Sequence, residues 1–69
     1  MMPTLKINGE DKNFENVPST LKNLLEILKV DEATVVAEVN GNIIPRNSFN
    51  NTALHDGFKI ELIRFVGGG

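Results

Sequence analysis

The chain has 69 residues, no cysteine, one histidine and a formal net charge of -2 from seven basic and nine acidic side chains. A chain this short folds as one small domain, and without cysteines or clustered histidines it has neither a disulfide nor an internal metal site to brace it, so apolar packing must stabilise it. No apolar run approaches the length of a bilayer span, the N-terminal MMPTLKING lacks a signal-peptide pattern, and no basic cluster interleaved with aromatics offers a surface for nucleic acid. The expectation is therefore a cytoplasmic protein that binds neither membrane nor nucleic acid.

Residues 4–8 (TLKIN) alternate, with Leu5 and Ile7 on one face and Lys6 on the other, which predicts a half-buried strand. Residues 9–12 (GEDK) read as a turn, and 13–17 (NFENV), with Phe14 and Val17, as a second strand returning in a hairpin. A hydroxyl cap among Pro18, Ser19 and Thr20 opens a helix to Lys29, because Leu21, Leu24, Leu25 and Leu28 recur at the helical period. Lys22, Asn23, Glu26 and Lys29 fall on its polar side.

After a connection at 31–34, residues 35–39 (VVAEV) predict a strand with Val35, Ala37 and Val39 inward and Glu38 outward. Asn40-Gly41 is a strong hairpin signal, since both turn positions require positive φ, and residues 42–44 return as a short strand ended by Pro45. Residues 46–54 (RNSFNNTAL) show no period and predict an irregular connection with one helical turn; Asp56-Gly57 is a turn. Residues 58–65 (FKIELIRF) form the last strand, with Phe58, Ile60 and Leu62 on one face and Glu61, Ile63 and Phe65 on the other.

One helix among five strands excludes a ferredoxin-like sandwich, which needs two, and predicts an α+β grasp: one mixed sheet of four to five strands with a single helix across one face. The domain spans residues 1–66 and a flexible glycine tail follows at 67–69. His55 stands alone in a polar loop, and the acidic pairs Glu10-Asp11 and Asp31-Glu32 lack metal-ligand spacing, so neither a catalytic constellation nor a metal site is expected.

The ending RFVGGG is the one unusual feature. Three glycines contribute nothing to a core, and no helix follows to make them a phosphate loop. Taken alone they fit an idle end as well as a functional one. A C-terminal carboxylate is ionised at neutral pH and a poor electrophile, but as an acyl-adenylate it becomes open to a sulfur or amine nucleophile. Glycines without Cβ thread readily through an enzyme wall, and three of them extended reach roughly 10 Å.

With these features together, the chain resembles the sulfur carrier proteins of thiamine biosynthesis, the ThiS family of ubiquitin-like proteins. The likeness rests on LKING, LKNLLEIL, VNGNIIPRNSF, LHDGFKIELIRF and the terminal VGGG, nearly the whole chain. It implies a β-grasp whose Gly69 carboxylate is adenylated by an E1-like, ThiF-like adenylyltransferase using ATP and magnesium, the carrier itself holding no cofactor. A persulfide donor then supplies sulfur, and the Gly69 thiocarboxylate delivers it to a ThiG-like thiazole synthase. Gly67 and Gly68 would serve tail threading, while Asn40, Gly41, Pro45 and Arg46 match the family block in a structural role. The protein would thus be a substrate and not an enzyme.

Alternation adds an expected apolar patch of Val36, Ile63 and Phe65 on the sheet face away from the helix, a dock for the activating enzyme. Four other functions compete: a carrier like the small subunit of molybdopterin synthase, a carrier serving cysteine or another sulfur metabolite, a lysine-linked modifier, and a ubiquitin-like binding module with an inert tail.

Overall fold

The computed structural model describes residues 2–64. Its strands are β1 (Thr4–Ile7), β2 (Glu10–Asn13), β3 (Val35–Val39), β4 (Asn42–Ile44) and β5 (Lys59–Arg64), with one helix, α1 (Leu21–Leu28), between β2 and β3. The strands form one mixed sheet in the order β2-β1-β5-β3-β4, with β1 parallel to the central β5 and the other pairings antiparallel. This is the one-helix grasp the sequence predicts.

Packing follows the alternation. Leu5, Ile7, Val35, Ala37, Val39 and Ile60 point from the sheet into one buried cluster with Leu21, Leu24 and Leu25 of α1. Phe49, on a 3-10 turn at Arg46–Asn51, and Leu54 complete it, so the period-free connection supplies the bulkiest core side chain.

The helix is shorter than the residue 19–29 span its pattern suggests, and both ends have a physical cause. Thr20 is extended and its side chain accepts the Asn23 N–H at 3.2 Å, an N-cap. At the other end Lys29 turns left-handed (φ 58), its N–H donating to Glu26 O and that of Val30 to Leu25 O, which is a Schellman closure.

The second strand is placed differently from the expectation. It lies at Glu10–Asn13 and not at 13–17, because the hairpin turn is Asn8-Gly9, with φ 51 and 82, and Ile7 pairs directly with Glu10. All four β2 residues are exposed, so this edge strand has no apolar alternation to mark it. Phe14 and Val17 instead pack on the core as half-buried residues of the loop leading to α1. Phe65, Val66 and the tail of Gly67, Gly68 and Gly69 lie outside the described residues, and with them the end of the predicted last strand and the domain–tail boundary.

Candidate functional site

The C-terminal strand runs through the centre of the molecule, and its direction is set from both sides. Each hairpin turns on an Asn-Gly pair with two positive φ values, 51 and 82 at Asn8-Gly9 and 52 and 87 at Asn40-Gly41, as two-residue type I′ turns need. Both asparagines also bond to β5. The Asn8 N–H donates to Ile60 O at 2.9 Å and its Oδ1 accepts the Leu62 N–H at 2.7 Å. The Asn40 N–H donates to Lys59 O at 2.7 Å and its Oδ1 accepts the Lys59 N–H at 2.9 Å. The strand that leads to the terminal glycines is thereby held at its start and again past its midpoint.

Farther back, the Thr4 N–H donates to Asp56 Oδ1 at 2.7 Å and the Gly57 N–H to Thr4 O at 2.8 Å, tying the entry of β5 to the start of β1. Gly57, at φ 88, makes the turn that Asp56-Gly57 predicts. Arg46, matched to the family block as structural, does hold structure: its guanidinium donates to Glu32 O at 3.0 Å and Ala33 O at 3.2 Å. His55 is exposed and sets its ring edge-on to Phe58, with 5.3 Å between centroids. Among the described residues no three His, Cys, Asp or Glu side chains converge as a metal site would require.

Of the expected patch, Val36 and Ile63 lie directly opposite each other across β3 and β5 on the face away from α1; Phe65 is outside the described residues. Val36 is half-buried and Ile63 is 50% exposed. Ile43 of β4, 68% exposed, belongs to the same face, opposite Glu38, and was not anticipated. Between these apolar residues Glu38 faces Glu61 across the strands, and neither carboxylate has a cation within 4 Å among the described residues. Like charges directly opposed across a sheet repel, so this face is not arranged for the stability of the free domain.

The other side of the sheet carries a recess of about 330 Å³ at the C-terminal end of α1. Ile7, Leu28, Val30 and Leu62 line its apolar part, and Lys12 and Arg64 stand among its polar walls. It exists because β1 turns away at Asn8 while β5 continues to Arg64.

A family model described as "ThiS family" matches residues 5–69, a span that runs through the terminal glycines. The chain is 32% identical over 65 residues to the sulfur carrier protein ThiS of Bacillus subtilis (strain 168), covering 94% of this chain and 98% of that one. It is also 43% identical over 65 residues to a thiazole synthase of Paramagnetospirillum magneticum, of which it spans only 20%. Among solved structures, that of a thiamine biosynthesis protein (ThiS) from Geobacter metallireducens superposes with a TM-score of 0.81 at 34% identity, over 96% of this chain and 99% of that one.

Proposed function

The chain belongs to the ThiS family, the sulfur carriers of thiamine biosynthesis, and we propose that its Gly69 carboxylate is the atom group that carries the sulfur. The observation behind this is the family match, which extends over the fold and on to Gly69 without a break. In the first step a carboxylate oxygen attacks the α-phosphorus of ATP, held with magnesium by an E1-like adenylyltransferase, and pyrophosphate leaves. The terminal sulfur of a protein persulfide then attacks the acyl carbon and AMP leaves. A second thiol reduces the resulting acyl disulfide, releasing the Gly69 thiocarboxylate and an ordinary disulfide. The thiocarboxylate sulfur attacks an electrophilic carbon of the substrate held by a thiazole synthase, and water cleaves the thioester so formed, leaving the sulfur on that substrate and restoring the Gly69 carboxylate.

Each protein feature has a place in this sequence. Gly67 and Gly68 thread the activating site because they carry no side chain to obstruct it. The Val36–Ile63 pair, with Ile43 beside it and Phe65 two residues beyond Ile63 in sequence, docks the adenylyltransferase by its apolar surface, and the opposed Glu38 and Glu61 gain there a cation that none of the described residues supplies within 4 Å. The relative in which a similar domain forms one fifth of a thiazole synthase supports that enzyme as acceptor.

Incubation with ATP, magnesium, an adenylyltransferase and a persulfide donor is expected to yield an AMP adduct and then an oxygen-to-sulfur exchange, both read by intact mass. Deleting Gly69 abolishes them. Ile63→Glu is expected to slow adenylation about tenfold or more, as removal of an apolar anchor does, without lowering the unfolding midpoint. An unchanged adenylation rate in that variant would remove the sheet face from the proposal.

A further inference from the structure

The recess beside β5 is bordered by an open strand edge. At the entry of β5 and along it the backbone groups of Phe58, Ile60 and Leu62 point toward β1, as shown by Lys6 N–H donating to Phe58 O at 3.0 Å, Asn8 N–H to Ile60 O at 2.9 Å and Leu62 N–H to Asn8 Oδ1 at 2.7 Å, and the alternation of the strand turns Arg64 the same way. The next two groups in this series are the Leu62 carbonyl and the Arg64 N–H. Pairing of β1 with β5 stops at Ile7 and Ile60, so on that side neither group has a partner among the described residues.

A free carbonyl and N–H in one line, next to an apolar depression, are what an added strand requires. Leu28, Val30 and Leu62 offer an alternate side chain of such a strand an apolar seat. Lys12 and Arg64 add two cations to walls that include one carboxylate, Glu10, which already lies 3.9 Å from Lys12. Arg64 has no carboxylate within 4 Å among the described residues. The last five residues of the sequence, ending at Gly69, follow Arg64.

Resting on the carrier function above, we propose that the recess is the docking groove for an extended segment of the thiazole synthase, which adds as a strand beside Leu62–Arg64, places an apolar side chain against Leu28, Val30 and Leu62, and meets Arg64 with an acidic one. Main-chain bonds at Leu62 O and Arg64 N then fix the direction in which the tail enters the acceptor. The groove lies on the helix side of the sheet and the Val36–Ile63 pair on the opposite side, so activating enzyme and acceptor read different surfaces.

Amide hydrogen exchange of the full chain, free and saturated with purified thiazole synthase, tests this. The Arg64 N–H is expected to slow by about tenfold or more in the complex. A chain lacking Gly68 and Gly69 should show the same protection at Arg64, because the groove binds independently of the tail's end. Arg64→Glu is expected to weaken the complex about tenfold at low salt, with the loss shrinking as salt rises. A complex in which Arg64 exchanges at its free rate overturns the groove and leaves the carrier function standing. A chain that acquires the thiocarboxylate but forms no complex with thiazole synthase overturns the choice of occupant. Failure to form the thiocarboxylate at all removes the carrier function, and the proposal falls with it.

Discussion

Among the described residues three that are not glycine, Asn8, Lys29 and Asn40, hold the left-handed backbone that side chains normally avoid, and they do so for two different returns. Asn8 and Asn40 gain bonds to β5, whereas Lys29 closes the helix through its backbone alone. Replacing Lys29 by glycine is therefore expected to stabilise the fold, by up to about 1 kcal/mol, since the left-handed cost of about 1–2 kcal/mol is removed against the added freedom of the unfolded chain. For Asn8 the two contributions separate. Asn8→Gly keeps the turn and loses the acceptor for Leu62 N–H, costing about 1 kcal/mol, while Asn8→Ala adds strain and costs roughly 2–3 kcal/mol. Urea denaturation of the three variants checks the order. Equal losses for Asn8→Gly and Asn8→Ala would mean that the turn conformation contributes nothing.

Among the elements, those with one buried face were legible in the sequence. The Leu21, Leu24, Leu25 and Leu28 stripe marks α1, and the Val35, Ala37, Val39 alternation marks β3, because burial imposes a period on the side chains. The strand β2 has no buried face, so its residues Glu10 to Asn13 carry no period, and the apolar Phe14 and Val17 drew the predicted strand past its true end. Asn8-Gly9 held the missing signal. It is the same dipeptide whose turn was recognised at Asn40-Gly41.

The connection at 46–54 hid Phe49 for a related reason, since a 3-10 turn contributes one core residue and shows no repeat. With that ring 1% exposed, Phe49→Ala is expected to cost about 3–5 kcal/mol, most of the stability a domain of this size possesses. Thermal unfolding would show it as a collapse of the midpoint. On the open face, Glu61→Lys turns the opposed pair with Glu38 into an attractive one and should raise stability by roughly 0.2–1 kcal/mol, while weakening docking of the adenylyltransferase. A drop in stability would show that some neighbouring cation already balances Glu61.

At the scale of the whole molecule, the domain is a holder for its last strand. Both hairpins fold against β5, both Asn-Gly turns bond to it, and the entry loop is tied to β1 through Asp56 and Gly57. Such contacts join residues as far as 54 positions apart, which is why the clamp by Asn8 and the recess beside Leu62 could not be read from local pattern. The family was legible instead in contiguous blocks of sequence, LKING, LKNLLEIL, VNGNIIPRNSF and LHDGFKIELIRF, which the family match spans. No helix among the described residues is long and apolar enough to cross a membrane.

Whether Gly69 carries the sulfur is read from the intact mass of the chain after incubation with ATP, magnesium, a ThiF-like adenylyltransferase and a persulfide donor. An oxygen-to-sulfur mass increase is expected that requires ATP and disappears when Gly69 is deleted. An unchanged mass, with the same enzyme and donor converting the Bacillus subtilis carrier in a parallel reaction, would contradict that role for Gly69.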